Sequence, residues 1–309
     1  MRHDHQIMAA FAVLASASVV YAAQALCEER GAATSIPALT GIWGRHMLLF
    51  EPPESGPGPV VSKLRKPDGS PMFSAVGDFT NPILTPRARE EVKTFGNQEL
   101  SGVAFASPHN QCWPEPTPYI LSIEFGLQIL QKNDEVVLVY LSDHQVRHVR
   151  MNVPHSEHPT PSWQGESVGR YEGDVLVVDT IGQKVGPLSM VDRFATPFSE
   201  ALHVIERYRL IDGQIARDLQ QKHQRNYFPT GGGFRSPYGM GDIDPDTTKS
   251  GLQVEITVED PNMFTTRWSG LITYRQVLGG WPEAVCAENT QGSGSSWVVL
   301  TPRADTSEF

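Results

Sequence analysis

The chain lacks the features that place a protein in several common functional classes. It has three cysteines, and none belongs to the CxxC or Cys/His cluster of a zinc ribbon or a thioredoxin-like site. It also has no G-x-S-x-G, no H-E-x-x-H and no dinucleotide-binding fingerprint after a predicted strand. We therefore predict neither a metal nor a cofactor, and no activated serine or cysteine nucleophile.

No segment reaches the roughly 20 consecutive apolar residues that a membrane-spanning helix needs. The best candidate is an apolar stretch over residues 7–20, which follows Arg2 and precedes the small residues Ala22 and Ala25. This order is typical of a secretory signal peptide that is cleaved after Ala22 or Ala25. We predict a signal peptide over residues 1–25, export to the periplasm or the medium, and no membrane insertion.

Positive charge is in the minority, and this limits the partners of the protein. With 25 basic and 35 acidic residues the formal net charge is −10, which argues against nucleic acid as a partner. Export would also expose the cysteines to oxidation. Because Cys27 lies at the mature N-terminus, we predict that Cys112 and Cys286 form a disulfide.

Helix-length periodic runs are few, whereas turn-forming residues are frequent, with 24 prolines and 27 glycines. The best helix candidate covers residues 85–95, with Thr85 as N-cap and Pro86 at the first helical position. From residue 119 onward, beginning with YILSIEF, short strand-like segments alternate with turn residues. This succession predicts a mainly β fold, either an antiparallel meander barrel or a sandwich, with a few short helices.

One long segment interrupts the strand pattern. Residues 214–250 separate two predicted strands that would otherwise form a hairpin, and they include the stretch NYFPTGGGF. Such an insertion is typical of a lid, an oligomer contact or a mobile loop. We predict that residues 26–309 form a single β-barrel domain in which this insertion is a lid or a homo-oligomer contact.

Two carboxylates in the segment WQGESVGRYEGDVLVVDTIG are the strongest catalytic candidates. A two-residue hairpin turn at Glu172-Gly173 would place Glu166 directly opposite its partner on the next strand. That partner is Asp179, with Cβ atoms about 4.5–5.5 Å apart. Because Asp179 follows the apolar run VLVV, we expect the pair to face the barrel interior, where the repulsion raises one pKa and suits acid–base catalysis. Two alternatives stay open: Asp179 pairs structurally with Arg170 or another cation, or a three-residue loop separates the carboxylates.

The segment FSEALHVIERYRL, residues 198–210, mixes apolar and charged positions. Its periodicity fits a strand and, loosely, a helix. We predict a strand from Val204 onward, because the β-branched residues lead into an Asp-Gly turn. Such a strand has Glu206 on its more apolar face, where it either pairs with a neighbour of the Arg207 type across the sheet or lines a cavity. His203 and Arg207 lie on the other face, and His203 is either a proton carrier or a structural residue.

The remaining histidines are weaker candidates. His144 and His148 are four residues apart, which corresponds to about 13 Å along a strand and excludes a shared metal. His155 and His158 in the loop PHSEHP could ligate together, although loop histidines are more often solvated. We retain His144 as a second candidate proton carrier.

Five blocks of the chain resemble a large, uncharacterised group of secreted bacterial proteins. These blocks are SDHQVRHV, WQGESVGRYEGDVLVVDTIG, DRFATPFSEALHVIERYRL, VEITVEDPNMFT and CAEN, within residues 110–290. The group often has His where this chain has Glu166, another His at Phe198, and a short turn in place of residues 214–250. A His at position 166 would form a His–carboxylate dyad with Asp179. The resemblance implies no activity, but it draws attention to this pair.

Together these patterns predict an exported, cofactor-independent enzyme. The Gly41-Ile42-Trp43 element is similar to the G-x-W of lipocalins, which implies a meander barrel that holds a small ligand. Glu166 and Asp179 would be the acid and base of a lyase, isomerase or hydrolase acting on a small organic molecule. The residues predicted to bind it are Trp163, Arg193, Glu206, Arg207, Tyr227, Phe228 and Phe234. The alternative is a lipocalin-like binding protein without catalysis, whose pocket is lined by apolar side chains.

Overall fold

Nine strands form a closed barrel in the computed structural model, which describes residues 36–103, 106–123, 126–228, 242–280 and 285–286. They follow one another around the barrel in chain order. The strands are β1 (Gly41–Gly44), β2 (Gly126–Gln131), β3 (Glu135–Tyr140), β4 (Val146–Met151), β5 (Glu166–Glu172), β6 (Val175–Ile181), β7 (His203–Ile211), β8 (Gly251–Glu259) and β9 (Trp268–Gln276). The predicted mainly β barrel is confirmed. The predicted signal peptide lies outside the described residues.

Strand pairing follows the predicted meander with one exception. Each strand pairs antiparallel with the next, and β9 pairs with β1 to close the barrel. Strands β4 and β5 are instead parallel, with Val149 beside Ser167. A parallel connection must return the chain to the end of the sheet where it began, which takes a dozen or more residues. Residues 152–165, which we call the crossover loop, make this return.

Three α-helices accompany the barrel in the described residues. They are α1 (Pro86–Leu100), α2 (Tyr119–Ile123) and α3 (Gly213–Tyr227). The helix predicted at residues 85–95 is confirmed as α1, and Thr85 caps it by accepting a hydrogen bond from the N–H of Ala88. None of the three has both the length and the apolar character needed to cross a membrane.

Helices α2 and α3 differ from the predictions. Residues 119–125 are predicted as a strand, but α2 is a helix in which all five residues are buried. A short apolar run fits a buried helix as well as a buried strand. Asp212, predicted to form a turn with Gly213 after the strand, instead caps α3 by accepting hydrogen bonds from Gln214 and Ile215. The Gly-rich part of the predicted insertion, with Phe234, lies outside the described residues.

A buried ion pair crosses the barrel interior. Arg147 on β4 and Glu206 on β7 are fully buried, and Nη2 of the arginine lies 2.8 Å from Oε1 of the glutamate. The guanidinium also donates to Ser167 Oγ at 2.9 Å and to Thr180 Oγ1 at 2.6 Å. Tyr208 donates its hydroxyl hydrogen to Glu206. Glu206 pairs with an arginine, as one of the two expectations has it, but the partner is Arg147 on β4, which does not neighbour β7 in the sheet.

The predicted disulfide is confirmed. Cys112 and Cys286 are bonded, and their Cα atoms lie 5.4 Å apart. The bridge joins residues that are separated by 174 positions in the sequence. In the chain-entropy model, a loop of this length stabilises the folded state by about 4–5 kcal/mol.

Because the ion pair is buried, replacing one of its members should strongly lower the stability of the fold. Glu206→Gln should lower the free energy of unfolding by about 3–5 kcal/mol, because it leaves Arg147 charged and unpaired inside the barrel. The double variant Arg147→Leu with Glu206→Leu should recover most of this loss, since no charge is then buried. Urea denaturation at neutral pH measures both changes. A loss below about 1 kcal/mol for Glu206→Gln, the size typical of an exposed pair, would show that the pairing has no such role.

Candidate functional site

The β5–β6 hairpin positions the two candidate carboxylates, but its turn differs from the predicted one. Gly173 and Asp174 are the turn residues, and Glu172 pairs with Val175. Gly173 has a φ of +64°, a left-handed conformation that suits glycine at the first central position of a two-residue hairpin turn. The predicted turn is therefore displaced by one residue along the chain.

This displacement changes the register of the carboxylates. Glu166 lies opposite Ile181, and Asp179 lies opposite Val168. The prediction that Glu166 and Asp179 directly oppose one another is wrong. They are diagonal neighbours on one face of the hairpin, a relation in which Cα atoms are about 7–8 Å apart.

Both carboxylates lie on the outer face of the barrel, and the prediction of an interior position is also wrong. The inward-facing, buried residues of the hairpin include Ser167, Gly169, Leu176, Val178 and Thr180. Glu166 and Asp179 alternate with them and so face outward. The run VLVV is misleading because Val177 faces outward yet is only 1% exposed. Arg170 and Arg207 lie directly beside Val177 on the two neighbouring strands, and arginine side chains can cover apolar surface with their stems.

His155 of the crossover loop joins the two carboxylates. Its Nδ1 lies 3.1 Å from Oε1 of Glu166, and its Nε2 lies 3.0 Å from Oδ1 of Asp179. An ionised carboxylate only accepts hydrogen bonds, so both contacts are hydrogen bonds when the ring carries both protons. In that state a positive charge separates the two negative ones and removes the repulsion that the prediction assumed.

Glu166 is held by further donors. Ser156 donates to it from its backbone N–H at 2.7 Å and from its hydroxyl at 2.5 Å. Nη2 of Arg150 lies 3.1 Å from Oε2 of the same glutamate. Desolvation acts to raise the pKa of Glu166, but the hydrogen bonds from Ser156 and His155 and the charge of Arg150 outweigh it and lower the pKa to about 2.

His203 on β7 completes the cluster from the other side of Asp179. Its Nε2 lies 2.9 Å from Oδ1 of Asp179, the same oxygen that His155 contacts. Desolvation opposes ionisation of Asp179, yet the hydrogen bonds from the two histidines lower its pKa. The hydrogen bond to Asp179 in turn raises the pKa of His203 above its usual 6.5. The prediction that one carboxylate has a raised pKa is therefore wrong; the raised pKa belongs to His203.

An open cleft of about 690 Å³ lies beside His203 on the barrel surface. Such a volume is within the range of small-molecule sites, roughly 300–1,000 Å³. The lining residues include Pro159, Pro161, Ile181, Lys184, Glu200 and Leu202. Trp163, a predicted substrate-binding residue, lies next to the cleft wall, because the centre of its ring is 5.0 Å from Nζ of Lys184.

Three other predicted residues are not brought to the cluster. Glu206 is buried in the barrel interior, where it pairs with Arg147. Arg207 faces outward, but its Nη2 pairs with Glu172 at 2.7 Å, beside the hairpin turn. His144 lies in the 3-10 turn before β4 and makes no hydrogen bond to Glu166 or Asp179 in the described part of the chain. We assign none of the three a part in the site.

Arg193, Tyr227 and Phe228 are also predicted to bind substrate, but they pack around the ring of Phe73. The Arg193 guanidinium lies over the ring of Phe73, 4.2 Å from its centre. Tyr227 and Phe228 pack against the same ring, with centroid distances of 6.2 and 5.8 Å. None of these residues lines the cleft beside His203.

Sequence reasoning missed most of the residues that hold the carboxylates. It assigned no role to Arg150 or Ser156, and it treated His155 as a solvated loop histidine or a weak metal ligand. What these three residues share is their place in the sequence. They lie at the end of β4 and in the crossover loop, which leads directly to Glu166. Within the described ranges, no three His, Cys, Asp or Glu side chains are arranged to hold a metal ion.

The low pKa of Glu166 predicts how stability depends on pH. The pKa of Glu166 is about 2 in the folded protein, whereas that of an unperturbed glutamate is 4.5. The ionised group therefore contributes its full stabilisation above about pH 4.5. This contribution is lost as the pH falls toward 2. Glu166→Gln should therefore lower the free energy of unfolding by about 1–3 kcal/mol at neutral pH and by progressively less in acid.

Urea denaturation across this pH range measures the difference between the two proteins. Glu157→Gln, at an exposed glutamate of the same crossover loop, is the matched control and should have no effect. A Glu166→Gln effect that is independent of pH would rule out the proposed hydrogen bonds to the ionised carboxylate.

Comparison of the chain with models of known protein families, with curated proteins and with solved structures finds no match. The resemblances to secreted bacterial proteins and to lipocalins stay predictions. The candidate functional residues are the cluster of His155, Glu166, Asp179 and His203.

Proposed function

We propose that the protein is a general acid–base enzyme whose active site is the cleft beside His203. One observation carries this proposal: Oδ1 of Asp179 lies 2.9 Å from Nε2 of His203, at the wall of an open cleft. A carboxylate bonded to an imidazole fixes the tautomer of the ring and stabilises its protonated form. Enzymes use this arrangement when a histidine exchanges protons with the substrate.

His203 is the proposed proton carrier. Because Asp179 accepts the hydrogen on Nε2, the other ring nitrogen, Nδ1, takes a proton from the substrate or returns it. The ring becomes positively charged when it takes the proton, and the Asp179 carboxylate stabilises that charge. His155 is a positioning residue, since its hydrogen bonds to Glu166 and Asp179 hold Asp179 in place and ionised.

The surroundings of His203 favour direct proton transfer. In the described part of the chain, no serine or cysteine is hydrogen-bonded to His203, so a covalent mechanism with an activated nucleophile has no support. The proposed reaction is an elimination or an isomerisation, or a hydrolysis by a water molecule that His203 activates. Lys184 in the cleft wall would attract a carboxylate or another anionic group. The proposed substrate is therefore a small organic acid, or an ester or lactone that carries a further anionic group.

Turnover by site variants tests this proposal. The protein is assayed with a panel of small hydroxy acids, esters and lactones, and elimination, isomerisation and hydrolysis are each followed. His203→Gln should lower kcat of the reaction found by about 10²–10⁴-fold, the usual contribution of general acid–base catalysis. When His203 acts as a base, kcat should rise with pH through a pKa above 6.5. Asp179→Asn should lower kcat and move this inflection to lower pH.

His148→Gln is the matched control. His148 is also an outward-facing histidine bonded to a carboxylate, with Nδ1 2.6 Å from Oε1 of Glu135, but it does not line the cleft. This variant should leave kcat unchanged. A kcat that is unchanged in His203→Gln, or a panel without any His203-dependent reaction, would refute the proposal.

A further inference from the structure

A second cleft, of about 380 Å³, lies between α1 and residues 63–79. Its apolar lining residues include Leu64, Val76, Phe79 and Leu100. The cationic side chains of Lys63, Arg65 and Lys93 surround this apolar floor. We call this site the basic cleft. It shares no lining residue with the cleft beside His203.

Helical periodicity assembles one wall of the basic cleft. Lys93, Gly96, Asn97 and Leu100 of α1 all line it, and their spacing places them on one face of the helix. Gly96 allows this face to approach the opposite wall closely, because a Cβ atom there would lie only 3.2 Å from Cγ1 of Val76. The cleft is thus formed by packed elements of the fold.

Much of the positive charge in the basic cleft is not neutralised. Lys93 pairs with Glu90 at 3.5 Å, on the exposed side of α1. Lys63 places Nζ 3.2 Å from the centre of the Phe79 ring, and Arg65 donates to backbone carbonyl oxygens of its own segment. In the described residues neither Lys63 nor Arg65 forms an ion pair with a carboxylate. In a chain of net charge −10, this creates a local positive site beside an apolar surface.

We propose that the basic cleft binds a small amphiphilic carboxylate, an acidic head joined to an apolar tail. The head would lie between Lys63 and Arg65, where a guanidinium can hold a carboxylate through two hydrogen bonds. The tail would cover the apolar floor, including Leu100, which is 61% exposed. Burial of this surface supplies affinity, and the two cations select the charged ligand over a neutral one of the same shape. The volume is near the lower end of the roughly 300–1,000 Å³ of ligand pockets, which limits the ligand to a short chain.

Isothermal titration calorimetry with octanoate tests the proposal on the full chain, at low ionic strength and near neutral pH. Octanoate should bind to one site, and 1-octanol should bind at least about 10-fold more weakly because it lacks the charge. The double variant Lys63→Gln with Arg65→Gln should weaken octanoate binding at least about 10-fold and leave octanol binding unchanged.

A matched control removes the same charge elsewhere. Lys132→Gln with Lys222→Gln replaces two exposed lysines outside the cleft and should leave octanoate binding unchanged. The proposal is overturned if octanoate does not saturate, if octanol binds equally well, or if the control weakens binding as much as the cleft variant. Charge-dependent binding to vesicles of anionic lipid, without binding of octanoate, would also overturn it and assign the cleft to a membrane surface. Because no turnover is measured, the result is independent of the proposed enzyme activity.

Discussion

Alternation of side chains along the barrel strands is the constraint on which the rest of the structure depends. In a closed barrel every second residue faces the interior, where a charge requires a partner. On β7 this places Glu206 inward against Arg147 and His203 outward against Asp179. One strand therefore contributes to stability on its inner face and to the proposed chemistry on its outer face. A slip of one residue would exchange these roles and leave a histidine without its carboxylate.

The parallel pair β4–β5 is the second constraint, because it requires the crossover loop. This loop brings Ser156 to the outer face, where it donates to Glu166, and also His155, whose two ring nitrogens contact Glu166 and Asp179. Two carboxylates on one face would otherwise repel each other, which would raise the pKa of one of them. With these donors present both pKa values are lowered, so neither carboxylate is suited to act as an acid near neutral pH. The proposed acid–base role therefore moves from the carboxylate pair to His203.

The sequence predicted the barrel better than the contacts between its parts. Alternation correctly assigned Glu206 to the apolar face of β7 and His203 to the other face, because this signal is local. The predicted β5–β6 register is wrong because the sequence is compatible with a two-residue turn at either of two adjacent positions. Only the backbone conformation shows that Gly173 is the first residue of the turn. Helix α3 was missed for a similar reason, since an Asp-Gly pair serves as a turn or as a helix start. The contacts of His155 with the two carboxylates could not be predicted, because a crossover between parallel strands has no periodic pattern in the sequence.

In the proposed function, Asp179 orients His203 as the proton-exchanging group on the outer face, and ¹⁵N NMR of the histidine rings tests this most directly. Above its pKa, His203 should carry hydrogen on Nε2 and none on Nδ1, since the carboxylate accepts from Nε2. The pKa of His203 should lie above 6.5 and should fall toward that value in Asp179→Asn. A pKa at or below 6.5 in the unchanged protein, or one that Asp179→Asn leaves unaltered, would contradict the dyad.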